Sequence, residues 1–336
     1  MIKNVLLTDN ELTAYLNDNY DCADKTRALL AQQKDTWLLL QNGYSGLDNV
    51  KIRTFEFDDY KIKVQFNPGR IVSSSAKVDA KSINERKCFL CYKHLPSGQK
   101  SILYPNDYLI LCNPFPIFNE HFTLPNVKHV SQNIETSFYQ FLMFAKDLGR
   151  YYTIFYNGPG CGASAPDHLH FQAGNKYFMP IDTDYDQVKI SQGTLIKETG
   201  KLKIYFVDKY PARFFSFESS DIEILQKTFR IFLKAFSELS TPGEEPMMNL
   251  ISSYEENRWR VIVFPRGKHR PSYYFAKGDE NILLSPASVD MGGVLITPLE
   301  KDFCRITKDN IIDIFQQIML TNEHLEYIKK SLIENT

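Results

Sequence analysis

Along residues 9–42 apolar positions recur at helical spacing. LLAQQKDTWLLL carries them on one face, Thr8 or Asp9 can cap the start, and Asn42-Gly43 reads as the stop. At Val50 the period changes. VKIRTFEF and YKIKVQF alternate apolar and polar residues on either side of Asp58-Asp59, which predicts a hairpin. A polar connection, SSSAKVDAKSINERK, leads to CFLC. SILYP, YLILCNPF and HFTLP then read as strands, residues 131–148 as a helix, and YYTIFYN and HLHFQAG as two strands about a glycine-rich turn.

Beyond Lys201 the order partly recurs: KIYFVD, a helix near 220–239, then NLISSYEENRWRVIVFPRGKH. WRVIVFPRGKH echoes HFTLPNVKH, each an apolar strand followed by Pro and then Lys-His. Nothing like HLHFQ recurs, so a second repeat has lost that chemistry. ITKDNIIDIFQQIMLTNEHLEYIKKSLI closes the chain as an amphipathic helix or helix pair. Strands next to strands, with helices between groups of them, predict an α+β protein on an antiparallel sheet.

Composition narrows the class. With 43% apolar and 24% charged residues the 336-residue chain can bury a substantial core. Lys+Arg (39) and Asp+Glu (40) nearly cancel, so the net charge of -1 gives no electrostatic reason to expect nucleic acid or a membrane surface as partner. MIKNVLLTDNELTAYL lacks the features of a secretory leader, and no run reaches the length of a membrane span, so a cytoplasmic location is expected. Six cysteines in that setting suggest thiols or metal ligands before disulfides.

The chemistry concentrates in YNGPGCGASAPDHLHFQAG. Strand alternation puts His168, His170 and Gln172 on one face, with Leu169 and Phe171 anchoring the other. The small-residue turn upstream, with Gly158, Gly160 and Gly162, offers backbone N–H groups to an anion. A phosphate held there lies beside an imidazole able to attack phosphorus, and Gln172 can hydrogen-bond the same phosphate without exchanging a proton.

HLHFQA resembles the histidine-triad superfamily, in the branch that contains galactose-1-phosphate uridylyltransferase, diadenosine tetraphosphate phosphorylase and GDP-L-galactose phosphorylase, where Gln replaces the third histidine of the hydrolases. The similarity runs over about 88–174 and only loosely beyond. It implies a histidine-triad-like antiparallel sheet with flanking helices in two halves, the second degenerate. An N-terminal helical extension would span 1–50, the catalytic domain 51–200 and the second half 201–336. It implies that His170 forms a covalent nucleotidyl-histidine, that Gln172 positions the phosphate, and that the nucleotidyl group of a nucleoside diphosphate-sugar or dinucleoside polyphosphate passes to phosphate or a sugar phosphate. Asn157 falls where the family has an asparagine near the phosphates. Asn113 falls where an acidic or amide residue holds the ribose. The family serine three residues before the first histidine is here Ala165; either Ser164 substitutes or that hydrogen bond is missing. The family's frequent dimers suggest a homodimer.

CFLC is compatible with a redox pair, half a zinc site or two buried thiols. A polar linker before it and KHLPSG after it argue against a thioredoxin-like setting. His129 and His168 complete a Cys88, Cys91, His129, His168 quartet, which the resemblance supports as a structural zinc site that leaves His170 free to react. His121, eight residues before His129, is the rival third ligand. Cations for a second substrate are sought in Arg70 and Lys77 of FNPGRIVSSSAK, and in Arg266, Lys268 and Arg270 of FPRGKHRP. His94, His269 and His324 read as surface residues, and Cys161 as a turn residue near the phosphate. Two other readings stay open: a hydrolase that passes the nucleotidyl group to water, and a catalytically silent nucleotide-binding protein.

Overall fold

The computed structural model describes residues 2–16, 20–71 and 79–336. β1 (Lys51–Glu56) and β2 (Lys61–Phe66) form the expected hairpin. Five strands of the first half follow: β3 (Ser101–Tyr104), β4 (Tyr108–Cys112), β5 (His121–Pro125), β6 (Tyr152–Asn157) and β7 (His170–Asn175). Five more make the second half: β8 (Gly193–Thr199), β9 (Leu202–Val207), β10 (Phe214–Ser219), β11 (Met248–Glu255) and β12 (Arg258–Pro265). β13 (Val294–Thr297) returns to pair in parallel with β2, completing a small three-stranded sheet.

The other ten strands form one sheet in the order β3-β4-β5-β7-β6-β11-β12-β10-β9-β8. Read outward from the central β6–β11 pair, the two halves have matching strand orders, and each inserts one long helix at the same point. Ile134–Asp147 lies between β5 and β6, and Ile222–Ser237 between β10 and β11. Asn133 and Asp221 cap these helices by accepting backbone N–H groups of the first turn. The helices meet through Phe138 and Phe229, whose rings stack 3.9 Å apart, a pairing worth roughly 1 kcal/mol beyond its buried area. Glu256-Asn257, both at positive φ, close the β11–β12 hairpin in the left-handed conformation such a two-residue turn requires, and Asn106 and Asp107, also at positive φ, end the three-residue β3–β4 turn.

The sheet has two covered faces. One packs on the long helices through Phe171, Ala173, Tyr156, Leu250, Val261 and Val263. The other packs through Phe155, Ile251, Ile262 and Phe264 against the small sheet and the helices Pro180–Gln192 and Lys308–Ile318. No helix among the described residues is long and apolar enough to cross a membrane.

Several sequence expectations need correction. The N-terminal helical stretch is three helices, Asp9–Thr13, Cys22–Thr36 and Leu38–Ser45, and Gly43 does not stop the last. Gly43 lies inside that helix because a Cβ there would sit 2.0 Å from the Pro114 carbonyl oxygen, so its role is close approach. The echo between WRVIVFP and HFTLP is also out of register. WRVIVFP is β12, which occupies the place of β7, whereas HFTLP is β5, whose counterpart is β10. Finally, His168 is not on the strand: β7 begins at His170, and His168 ends the turn before it.

Candidate active site and metal-binding cluster

A cavity of about 500 Å³ opens over β7 on the face away from the long helices. His170, Gln172, Asn157, Asn113, Gly162 and Ser164 all line it. His170 Nδ1–H donates to the His168 carbonyl oxygen at 2.8 Å, which fixes the tautomer and leaves the Nε2 lone pair facing the cavity. The ring is 4% exposed, and burial pushes its pKa down to about 4, so it is neutral at pH 7. Gln132, which the sequence did not flag, clamps the strand start. It accepts from the His170 N–H (2.8 Å) and donates to the carbonyls of Asn157 and His170.

The turn divides into two parts. Gly158 and Gly160 do not reach the cavity; they press on the segment entering β11, where a Cβ on Gly158 would meet the Met248 carbonyl at 2.8 Å, and the Gly158 N–H donates to that same carbonyl. Gly162, at φ +92° and with its Cα facing Ala287, turns the chain so that Gly162, Ala163 and Ser164 line the cavity. Ala165 is fully buried against Cys88 and Leu90, so Ser164 is the serine that faces the open space. Cys161 is fully buried and its thiol is pushed up to about 12 by burial, which removes it as an accessible nucleophile.

Asn157 is held from behind. Its Oδ1 accepts from Asn249 Nδ2 (3.0 Å) and from the Ser288 N–H (2.8 Å), with the Ser288 hydroxyl also at 2.8 Å. With that oxygen surrounded by donors, the NH2 group is the part left for the cavity. Asn249 is fixed in turn by Arg266 Nη1 at 2.7 Å.

That contact corrects one expectation. Arg266 is 1% exposed, and its guanidinium also donates to the carbonyls of Pro286, Lys268 and His269. It is an internal strut, and Lys268 is an exposed residue outside the cavity lining. Among the described residues, the cations that line the cavity are Arg70, Arg86 and Arg270, with the half-buried His269 also in the lining rather than on the surface. Burial pushes Arg70 down to about 10, and it stays charged at neutral pH. Lys77 lies outside the described residues. Apolar residues line the cavity beside these cations: Leu39, Phe89, Leu90, Pro96 and Phe115, with Arg86 over the Phe89 ring and Arg70 donating to the Phe115 carbonyl.

Behind the strand start, Cys88, Cys91, His129 and His168 bring two thiol sulfurs and two imidazole nitrogens within 4.8 Å of one another. His168 Nδ1 lies 3.2 Å from Cys88 Sγ, and His129 Nδ1 lies 3.2 Å from Cys91 Sγ. Each ring has an outer partner on its other nitrogen. His168 Nε2–H donates to the Asn126 carbonyl (2.7 Å), and His129 Nε2 faces Asp167 at 3.7 Å. This turns both Nδ1 lone pairs inward, as metal ligation requires. Burial raises the Cys88 thiol, but hydrogen bonding at its sulfur with His168 and the Leu90 and Cys91 backbone, together with the His168 charge, outweighs that and brings it down to about 6; burial and the neighbouring Cys88 push Cys91 up to about 11. The donor set suits a metal ion. His121 takes no part in it: its ring is fully buried on β5, with Nε2 3.0 Å from Gln172 Oε1.

The two-halved antiparallel sheet, in which a buried single-tautomer histidine opens one central strand beside a Cys-Cys-His-His cluster, shares its fold with a solved Ap4A phosphorylase. Residues 187–336 match the family model described as "GDPGP1-like, C-terminal domain", and residues 29–175 match one described as "Domain of unknown function (DUF4922)". Among solved structures, yeast Ap4A phosphorylase Apa2 is 16% identical with a TM-score of 0.55, over 86% of this chain and 94% of that one. The same protein in complex with AMP matches at 16% identity and TM-score 0.55, over 87% and 96%. A DUF4931 family protein from Bacillus cereus is 18% identical with a TM-score of 0.37, over 53% and 90%. No curated protein matches the sequence.

Proposed function

We propose that the chain is a nucleotidyltransferase of the phosphorylase type, acting on a nucleoside diphosphate-sugar or dinucleoside polyphosphate. His170 Nε2 attacks the α-phosphorus, a P–N bond forms, and the P–O bond to the sugar phosphate or nucleotide leaving group breaks. In the second step an oxygen of phosphate or a sugar phosphate attacks the same phosphorus, and the P–N bond breaks to return His170. The observation that carries this reading is the His170 Nδ1 bond to the His168 carbonyl, which places one free lone pair of a neutral imidazole in the cavity.

The rest of the lining suits the roles. The Asn157 and Gln172 amides and the Gly162–Ser164 turn face the phosphates. The apolar part of the lining with Phe89 and Phe115 suits a nucleoside, and Asn113, which lines the same cavity, is assigned the ribose hydroxyls. Arg70 and Arg270 serve the anionic acceptor or leaving group. That the yeast Ap4A phosphorylase was solved with AMP bound agrees with a nucleotide in this cavity. Zinc on Cys88, Cys91, His129 and His168 supplies cross-linking rather than reaction chemistry, fixing the backbone at His168 whose carbonyl orients His170.

The test is incubation with labelled GDP- and ADP-sugars and with diadenosine polyphosphates, with and without phosphate. An acid-labile, base-stable adduct on His170 and phosphate-dependent products are expected. Nucleoside monophosphate formed equally without phosphate indicates a hydrolase, and nucleotide binding without adduct or product indicates a silent binding protein.

A further inference from the structure

His121 lies outside the metal cluster in specific surroundings of its own. Its backbone is bracketed by one hydroxyl: the His121 N–H donates to Tyr44 Oη at 3.0 Å, and Tyr44 O–H donates to the His121 carbonyl at 3.3 Å. The ring is fully buried, edge-on to Phe118 at 5.1 Å. Its Nδ1 accepts the Ile117 N–H at 3.3 Å, so the ring proton is on Nε2, and Nε2–H donates to Gln172 Oε1 at 3.0 Å.

A glutamine amide has two ends, and a histidine that can only donate selects one of them. With Gln172 Oε1 held by His121, the opposite orientation would set NH2 against N–H. The NH2 group is therefore the end left toward the cavity that Gln172 lines. A buried imidazole also keeps this polarity across neutral pH, because burial and the charge of Arg70 push its pKa down to about 3.

We propose that His121 is a positioning residue that holds the Gln172 amide with its NH2 group toward the phosphate. Position 172 then offers donors to a non-bridging oxygen and no acceptor for a water proton. The inference rests on the proposed nucleotidyl transfer and deepens it: the site favours an anionic acceptor because nothing beside the phosphate at Gln172 can take a proton from water. The geometry links a β5 residue to the choice between phosphate and water as acceptor.

Two measurements test this. In protein labelled with 15N in histidine side chains, long-range proton–nitrogen spectra at pH 7 are expected to show His121 as the neutral Nε2–H form; an Nδ1–H form or a charged ring overturns the proposal, whatever the enzyme's activity. Second, His121→Met removes the donor and His121→Gln keeps one at the same reach. His121→Met is expected to lower kcat about 10- to 100-fold, with KM for the nucleotide substrate within about threefold, and to raise severalfold the fraction of adduct lost to water. His121→Gln is expected to restore both. Equal loss in folded His121→Met and His121→Gln, or an unchanged phosphate-to-water ratio in His121→Met, overturns it. If wild-type protein forms neither adduct nor product, the transfer reading fails, and the tautomer measurement still decides the positioning.

Discussion

On the sheet face away from the long helices, the two halves use the same strand order for opposite ends. In the first half, β7 presents His170 and Gln172 on that face, and a cavity stands above them. In the second half, β12 holds the equivalent place and presents Ile262 and Phe264, packed against the small sheet and neighbouring helices. The face toward the long helices is apolar in both, through Phe171 and Ala173 on one side and Val261 and Val263 on the other. One face of a strand is thus retained for packing while the alternate positions are free to carry chemistry or more core. The second half still contributes to the site from its edges: Asn249 and Ser288 set the Asn157 amide, and Arg270 and Ala287 line the cavity.

The largest effect should come from the polar member of this pair. His170→Asn is expected to abolish the adduct and cut turnover by on the order of 10⁴-fold while leaving the melting temperature nearly unchanged; near-wild-type turnover breaks the comparison. Next comes the metal cluster of the first half, which has no counterpart among the described residues of the second. Zinc at a thousand times its Kd stabilises by about 4 kcal/mol, so chelation should lower the melting temperature by several degrees, and Cys88→Ser should remove the response. Phe264→Ala on the silent strand should cost about 3 kcal/mol of stability in denaturant unfolding and leave the His170 adduct intact. Arg270→Ala should raise KM for phosphate or sugar phosphate about tenfold, with the nucleotide KM held.

The smallest effect is in pH. His121 is neutral in the folded protein and its pKa is lowered to about 3. Its unfolded form takes up a proton below about pH 6.5, so it destabilises the fold progressively as pH falls from there toward 3, by at most about 1.4 kcal/mol per unit. The stability difference between wild type and His121→Gln should therefore shift in favour of the variant between pH 7 and pH 5.

Much of this organisation could be read from the chain. Apolar runs and turn signals located β1 to β7 and β12, and the CFLC pair together with the histidine-triad resemblance anticipated four side chains that converge within 4.8 Å. Other features depend on partners far away in the chain. β13 is four residues, three of them apolar, that become a strand only by pairing with β2, about 230 positions earlier. Arg266 resembles a phosphate ligand until its acceptors, Asn249 and the carbonyls of Pro286, Lys268 and His269, come into view. Strict alternation sent His168 to the cavity, but the strand starts two residues later, so the two histidines point to different places. His121 looked like a spare ligand because its target is an amide 51 residues on.

The Leu38–Ser45 helix has a practical consequence for anyone recloning the gene. Gly43 sits against Pro114, Tyr44 brackets His121, and Leu39 forms part of the cavity rim. An expression clone trimmed to begin at β1 would discard a wall of the reaction chamber, and a poorly active product from it would report on the missing helix rather than on the chemistry.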